Sequence, residues 1–312
     1  MNKQLSIVCA GECMVELRGK DGIYRSSFAG DVVNFSIYLK RLLPDATINL
    51  MSAVGNDPLS HRMRDFIEQF GITTKLVRTS QYKTVGLYMV NTDEDGERTF
   101  TYWRSDSAAR QMFTLVEDRQ LDHAAQDVDY FYYSGITLAI LDQPCRERLF
   151  AFIERLASLG KTIVFDPNVR PSLWSTLDDA RRQTMRAYKT CNILLSSVAD
   201  ELQLFGEKSS GAIMSRLSSY GIDDIVLTDG PRDIHSLNLN NHCIQPAAKS
   251  GSVVDTTSAG DGFNAAYLGC RHSGLPVKEA IRRASELSAL IIAHPGAIIP
   301  SQIVSDYSKD LL

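Results

Sequence analysis

The chain has 312 residues, of which 44% are hydrophobic and 22% charged, with a formal net charge of −4 and a pI near 5.9. This composition is typical of a globular protein and argues against nucleic acids or membranes as partners. We find no apolar run approaching the roughly 20 residues of a membrane helix, and residues 1–20 do not look like a signal peptide. Six cysteines without a Cys-x-x-Cys pair favour reduced thiols and a cytoplasmic location.

Before residue 80 the pattern predicts short strands and helices in turn. Residues 12–18 alternate polar and apolar side chains, as in a strand with one face in water. Asp57 precedes an apolar-periodic segment and is interpreted as a helix cap. In order, the predicted elements are a strand at 5–10, a strand at 12–18, a helix at 35–43, a strand at 48–54 and a helix at 59–70.

Residues 84–104 are rich in β-forming residues and predict a hairpin. Its turn signal is Asp93-Glu94-Asp95-Gly96. Together with residues from about 12–28, this hairpin predicts a small sheet that is polar on one face. We interpret this sheet as a lid lying outside the main sheet.

After residue 128 strands alternate regularly with helices, which predicts a mainly parallel sheet covered by helices on both faces. We find no repeat or interdomain linker, so the sequence predicts an α/β fold in a single domain spanning 1–312. The predicted elements are strands at 129–134, 161–166, 192–196 and 224–228, helices at 142–158, 177–189, 198–205, 209–219 and 276–293, and a hairpin at 233–245 around Asn240-Asn241.

The most informative stretch is the nine-residue string 255–263, Asp-Thr-Thr-Ser-Ala-Gly-Asp-Gly-Phe. It lies between Val253-Val254, predicted as a short strand, and a segment with helical periodicity. A small-residue turn at a helix start offers backbone N–H groups, here those of Ser258, Ala259 and Gly260, as an anion site. A carboxylate there suits phosphoryl transfer if Asp261 takes the proton of the attacking hydroxyl. Helix capping by Asp261 is the alternative.

In open α/β sheets, ligands bind beyond the carboxyl ends of the strands. Polar residues collect at five such positions in the predicted order. They are Gly30-Asp31, Asp166-Pro167-Asn168-Val169-Arg170, Ser196-Ser197, Thr228-Asp229-Gly230 and Asp261.

The string 255–263 resembles the C-terminal signature of the ribokinase-like (PfkB) carbohydrate kinases, with Ser258 where glycine is commoner. Gly30-Asp31-x-x-Asn34 resembles the sugar-binding motif of that family, although capping by Asp31 is the simpler explanation of the spacing alone. The resemblance implies a ribokinase-like fold and an ATP-dependent kinase. Asp261 would be its catalytic base, and Gly30, Asp31 and Asn34 would bind the sugar.

The same resemblance implies a nucleotide and metal site. Ser197-Val198-Ala199-Asp200 corresponds to the family's Asn-x-x-Glu motif, so Asp200 or Glu201 would hold Mg²⁺ through water. Asp255 and Thr257 would lie in the region that takes a monovalent cation such as K⁺. The residues assigned to ATP are Asn168, Ser197, Thr228, Gly230, Gly260 and Ala289.

The sequence of the predicted lid indicates which class of sugar the protein phosphorylates. Residues 96–104, which include Tyr102-Trp103-Arg104, are similar to the lid of 2-keto-3-deoxygluconate kinases, and several other stretches across the chain resemble corresponding parts of the same kinases. The resemblance implies phosphorylation of the terminal 6-hydroxyl of that sugar acid. Arg104 and Arg170 would bind the carboxylate, and Tyr88 and Tyr102 would supply hydroxyls or stacking.

The resemblance and the apolar outer face of the lid also predict a homo-oligomer, either a dimer through the lid or a larger assembly. Three alternatives remain open at this point: a neutral-sugar kinase of the fructokinase or ribokinase type, a kinase of another keto-deoxy acid, and a sugar-binding protein without catalysis. The first strand is not followed by Gly-x-Gly-x-x-Gly, which argues against a dinucleotide-dependent oxidoreductase.

Overall fold

The computed structural model describes residues 4–308 apart from 21, 93–97 and 240. Within these residues the strands fall where short apolar or alternating runs occur. The strands are β1 (Ser6–Ala10), β2 (Met14–Lys20), β3 (Ile23–Ala29), β4 (Thr47–Val54), β5 (Thr73–Thr79), β6 (Gly86–Thr92), β7 (Arg98–Trp103), β8 (Tyr130–Ser134), β9 (Thr162–Asp166), β10 (Ile193–Ser197), β11 (Asp224–Thr228), β12 (Asp233–Asn238) and β13 (Asn241–Pro246).

Most helices begin at a polar capping residue. Asp57, for example, accepts a hydrogen bond from the Ser60 N–H at 3.0 Å, which confirms its predicted capping role. The α-helices are α1 (Asp31–Leu42), α2 (Pro58–Gln69), α3 (Met112–Leu115), α4 (Asp118–Asp127), α5 (Gly135–Ile140), α6 (Gln143–Ser158), α7 (Leu177–Tyr188), α8 (Val198–Phe205), α9 (Ser210–Ser218), α10 (Ala259–His272), α11 (Val277–Ile292) and α12 (Ser301–Ser308), and short 3₁₀ helices occur at Ala108–Gln111 and Pro171–Leu173.

The main sheet has the strand order β13-β12-β11-β10-β9-β8-β1-β4-β5. The strands from β11 to β5 in this order run parallel, and β12 and β13 add an antiparallel edge. One face of the sheet packs on α1, α2, α10, α11 and α12, and the other on α3, α4, α6, α7 and α9. Both faces are buried, which is why the central strands are continuously apolar. The α/β prediction with helices on both faces is therefore confirmed.

A second sheet of four strands, in the order β3-β2-β6-β7, forms outside the main sheet. Its strand β2 pairs antiparallel with β3 and parallel with β6, with Met14 opposite Ala29 and Gly86. On the face turned to the body, Met14, Tyr88 and Val90 pack with Ala297. The predicted turn Asp93-Glu94-Asp95-Gly96 lies outside the described residues, as does Asn240 of the second hairpin turn.

Two expectations about local structure need correction. Val253-Val254 is not a strand: both side chains are at least half exposed, and the Val254 N–H donates to the Ile292 carbonyl at 2.8 Å. The segment is thus held by the end of a helix and belongs to neither of the two sheets. The helix predicted at 35–43 begins at Asp31. The elements β5, α3, α4, α5 and α12 were not predicted, because their apolar patterns are short or weak.

Within the described residues, no helix combines the length and apolar character needed to cross a membrane. All six cysteines are free thiols, and each except Cys243 is buried.

Candidate active site

The candidate site lies where the carboxyl ends of β9, β10 and β11 meet the first turns of α1 and α10. These strands are parallel, so their last residues share one edge of the sheet. Ser197 is in register with Thr228, whose hydroxyl donates to the Ser196 carbonyl at 3.3 Å. Asp166 ends β9 at the same edge. The predicted convergence of polar strand ends is therefore present.

The turn that opens α10 is tight. Ser258 precedes the helix with φ 66° and ψ 8°, a left-handed conformation. This conformation costs an L-residue roughly 1–2 kcal/mol, whereas glycine adopts it freely, which explains why glycine is the commoner residue at this position. The Ala259 N–H donates to the Thr256 carbonyl at 3.3 Å. Of the three predicted anion-binding N–H groups, those of Ser258 and Gly260 are therefore better placed to receive an anion than that of Ala259.

Asp261 lies in the first turn of α10 and is only 8% exposed. The Asn34 amide of α1 donates to its Oδ2 at 2.9 Å. Burial and, to a smaller extent, the negative charge of Asp31 raise the pKa of Asp261 to about 7, although the Asn34 hydrogen bond opposes the rise. A carboxylate with this pKa is well matched to taking a proton near neutral pH.

Asn34 also offers an acceptor. Its Oδ1 is buried and has no hydrogen-bond partner among the described residues. Because an unsatisfied buried oxygen costs free energy, a ligand hydroxyl placed here would be stabilised. Gly30, the residue directly before α1, lies so close to the Glu12 carbonyl that a Cβ atom would be 2.2 Å from that oxygen. Glycine is therefore required for α1 to start at this point.

Asp166 lies close to three further carboxylates, those of Asp31, Asp200 and Asp261. The Asn168 side chain donates to Asp31 at 3.1 Å, and its backbone N–H donates to Asp166 at 3.1 Å. Burial raises the pKa of Asp166 well above its usual range, and the charges of Asp200, Asp261 and Asp31 add to the rise. Sequence reasoning placed Asp166 at a strand end but gave it no role. The excess negative charge of this edge suits a cation brought by the ligand.

The two residues predicted to hold the metal face different ways. Asp200 accepts from the Ser197 hydroxyl at 2.6 Å and from the Val169 N–H at 2.7 Å, at the edge of the site. Glu201 is fully buried, and its oxygens accept from Tyr188, Ser196 and Arg216. These three donors occupy its carboxylate, so the structure does not bring Glu201 to the site. Across the described part of the chain, no cluster of three or more His, Cys, Asp or Glu is arranged to hold a metal ion unaided.

The predicted lid residues are partly engaged with one another. Arg104 is buried and forms an ion pair with Glu12, and its Nε has no hydrogen-bond partner among the described residues. The Tyr88 hydroxyl donates to Glu16. Tyr102 is half exposed, and its ring centroid lies 5.8 Å from that of Tyr88. Tyr102 and the Arg104 Nε are thus the lid groups left for a ligand, whereas the Tyr88 hydroxyl is committed.

Arg170 follows β9 and is exposed, with Nη1 donating to its own neighbour's carbonyl, that of Val169, at 2.8 Å. Its positive charge lowers the pKa values of Asp166, Asp200 and Asp261, which places the guanidinium at the acidic edge. An exposed arginine beside the candidate base is available to an anionic ligand.

The remaining predicted residues lie around the turn before α10. Asp255 accepts from the N–H of Thr257 at 2.9 Å and from that of Gly296 at 2.8 Å. Gly230 takes φ 57° in an exposed turn after β11. Ala289 is half-buried on α11, and Gly260 is exposed in the first turn of α10.

Comparison with known proteins gives a consistent result. A 2-dehydro-3-deoxygluconokinase from Dickeya dadantii is 34% identical over 301 residues, covering 95% of this chain and 97% of that protein. One from Haemophilus influenzae is 35% identical over 312 residues, covering 97% and 98%. The crystal structure of a putative ribokinase II from E. coli, in complex with ATP and Mg²⁺, matches with a TM-score of 0.84 and 19% identity over 99% of this chain and 100% of that one.

The sequence profile of the pfkB family of carbohydrate kinases matches residues 4–303, nearly the whole chain. The match spans both sheets, the acidic edge and the turn that places Asp261 at the start of α10. This chain is therefore a member of the pfkB family of carbohydrate kinases.

Proposed function

We propose that the protein transfers the γ-phosphoryl group of ATP to the terminal 6-hydroxyl of 2-dehydro-3-deoxygluconate (2-keto-3-deoxygluconate). The product would be 2-dehydro-3-deoxy-6-phosphogluconate. The relatives at 34% and 35% identity bear the corresponding name. The structural observation that carries the proposal is Asp261, a buried carboxylate with a pKa of about 7 at the N-terminus of α10.

Different residues of the site would perform the separate steps of phosphoryl transfer. Asp261 takes the proton of the 6-hydroxyl as that oxygen attacks the phosphorus. The backbone N–H groups of Ser258 and Gly260, with the positive end of the α10 dipole, stabilise the charge of the transferring phosphoryl group. The free Oδ1 of Asn34 and the carboxylate of Asp31 accept hydrogen bonds from sugar hydroxyls and hold the acceptor in line.

Mg²⁺ would enter with the phosphates of ATP at the acidic edge, where the carboxylates of Asp31, Asp166 and Asp200 offer negative charge but, among the described residues, no complete metal site. Asp200 would hold the ion through water, and the ion would neutralise phosphate charge. K⁺ stays a prediction from the family resemblance. The charge of Asp255 is already met by Arg18, whose Nη1 lies 3.6 Å away, so its carboxylate does not need a monovalent cation. Comparing turnover in K⁺ and in tetramethylammonium tests this point.

The acid substrate is tested through Arg170. We expect Arg170→Ala to lower kcat/KM for 2-dehydro-3-deoxygluconate about tenfold to a hundredfold, because a charge-assisted hydrogen bond contributes roughly 1.5–3 kcal/mol. The same variant should scarcely alter kcat/KM for fructose, which has no carboxylate. Arg182→Ala is the matched control, since Arg182 is an exposed arginine on α7 paired with Asp179.

Arg104→Ala is a less selective variant, because it leaves the buried carboxylate of Glu12 without its cation. We expect it to weaken turnover of both sugars.

Equal proportional losses on the acid and on fructose in Arg170→Ala, or a wild type that prefers fructose, would contradict the sugar-acid assignment and favour a neutral-sugar kinase.

We also propose a homo-oligomer formed through the outer face of the lid. Leu17, Tyr24, Met89 and Trp103 share that face by strand register, and Tyr24 and Trp103 are 42% and 54% exposed. Sedimentation of the wild type and of Trp103→Glu tests it: a monomeric wild type would contradict the proposal.

A cytoplasmic location remains a prediction from the six free thiols.

A further inference from the structure

A continuous set of polar contacts joins the inner face of the lid to the turn that opens α10. Glu16 on β2 accepts hydrogen bonds from the hydroxyls of Tyr88 and Ser27, the second at 3.0 Å. Arg18 holds the same carboxylate through Nε at 2.7 Å and Nη2 at 3.2 Å. The remaining nitrogen of the guanidinium, Nη1, lies 3.6 Å from Oδ2 of Asp255. Arg18 thus contacts a lid carboxylate and a body carboxylate at once.

Asp255 shapes the backbone next to the phosphate-binding turn. Its side chain is fully buried, and it accepts from the N–H groups of Thr257, which directly precedes Ser258, and of Gly296, which follows α11. A buried carboxylate is costly without a nearby cation. The positive charge of Arg18 therefore offsets part of the cost of burying the Asp255 carboxylate.

Arg18 and Asp255 belong to different parts of the molecule, the four-stranded lid sheet and the segment that leads into α10. Arg18 is on the lid sheet, and its side chain is 32% exposed, whereas Asp255 is 0% exposed in the body. At 3.6 Å the contact is near the limit of an ion pair, so a lid displacement of a few ångströms would break it. Its energy therefore depends on lid position, which is the condition for coupling two sites.

We propose that Arg18 is a positioning residue that transmits closure of the lid over the sugar acid to the phosphate-binding turn through Asp255. The sugar acid then raises the affinity for nucleotide, and by linkage the nucleotide raises the affinity for the acid by the same factor. The inference rests on the proposed function. It assigns Arg18 a role that does not require this side chain to touch either substrate.

The experiment measures the Kd of the Mg²⁺ complex of β,γ-imido-ATP by calorimetry, with and without saturating 2-dehydro-3-deoxygluconate. We expect the acid to tighten nucleotide binding at least about fivefold in the wild type, and less than about twofold in Arg18→Gln. Arg18→Lys, which keeps the charge, should restore part of the coupling. Arg25→Gln is the matched control, because Arg25 is exposed and lies directly opposite Arg18 on β3.

The binding and activity measurements distinguish failure of the proposed role of Arg18 from failure of the proposed function. A coupling factor that is equal in the wild type and Arg18→Gln, or no coupling in the wild type, overturns the inference even if the acid is phosphorylated. Loss of coupling in Arg25→Gln as well also overturns it, because the effect would then come from general disturbance of the lid. A wild type that does not phosphorylate the acid overturns the proposed function, and the inference with it.

Discussion

Two adjacent carboxylates on α8 show how the candidate site differs from the core beside it. Asp200 lies at the sheet edge, where its charge and those of Asp261 and Asp31 raise the pKa of Asp166. Glu201, one residue later, is fully buried, and Tyr188, Ser196 and Arg216 donate to it. Burial raises the pKa of both carboxyls. Only the second has a charged partner that forms a hydrogen bond to it.

This difference shows that functional and structural carboxylates in this fold can be distinguished by the hydrogen-bond donors and positive charges around them. A buried carboxylate with a full set of donors is stable as it stands, and a ligand adds nothing to it. A group of carboxylates held by neutral amides and backbone N–H groups keeps a net negative charge that a bound cation or a transferred proton can relieve. The acidic edge around Asp261 is of the second kind.

The largest effect is expected for Asp261→Asn. Loss of the base should lower kcat by about 10²–10⁴-fold while nucleotide binding stays near normal. The same change should stabilise the fold by roughly 1–3 kcal/mol at pH 8, because a carboxyl with a raised folded pKa destabilises the folded state once ionised. Near-normal kcat in the variant would remove Asp261 from the mechanism.

The effect of Asp261 on the free energy of unfolding depends on pH, and its two pKa values define the pH range. The folded pKa of Asp261 is about 7 and the ordinary value is 3.8. The contribution of its protonated form is therefore complete below about pH 4 and is lost as the pH rises through 7. The thermal unfolding midpoints of wild type and Asp261→Asn should agree near pH 4 and separate by pH 8. A constant difference across this range would contradict the assigned pKa.

Matched amide substitutions on α8 test the comparison itself. Glu201→Gln should cost about 1–3 kcal/mol of stability, because an amide N–H₂ would face donors and Arg216 would lose one of its two carboxylate partners, keeping Glu207. Its kcat should stay close to wild type. Asp200→Asn should change stability little and lower kcat/KM about 10–100-fold, as for groups that orient metal ligands. Thermal unfolding and steady-state kinetics measure both, and the reverse pattern would show that the two roles are exchanged.

The smallest effect concerns the pH profile. We expect kcat/KM to rise with pH through an apparent pKa near 7, since only the ionised Asp261 accepts the proton. Asp31→Asn removes a like charge, so the acid limb should move to lower pH by at most about one unit, even though sugar binding also weakens. A limb that stays in place would show that Asp31 does not influence the base.

Much of the fold could be predicted because its signals are local. Apolar runs and helical periodicity located the strands from β8 to β11 and the helices from α6 to α9, although not α5, and small residues located the turn at 255–261. The elements that were missed have weak patterns: α12 shows one buried residue, Val304. Val253-Val254 looked like a strand because β-branched residues favour strands, but pairing needs a neighbour that only the fold supplies.

Within the site, the sequence itself determined which residues stand at strand ends and helix starts, and therefore that Asp31, Asn34 and Asp261 would meet. Only the tertiary structure decided which side chains remain free. Asp200 and Glu201 are adjacent and chemically alike, yet one helical position turns the second toward Arg216. The contact of Arg18 with Asp255 likewise spans more than two hundred residues of sequence. Ion pairs and pKa shifts depend on distance and burial, which non-local packing sets.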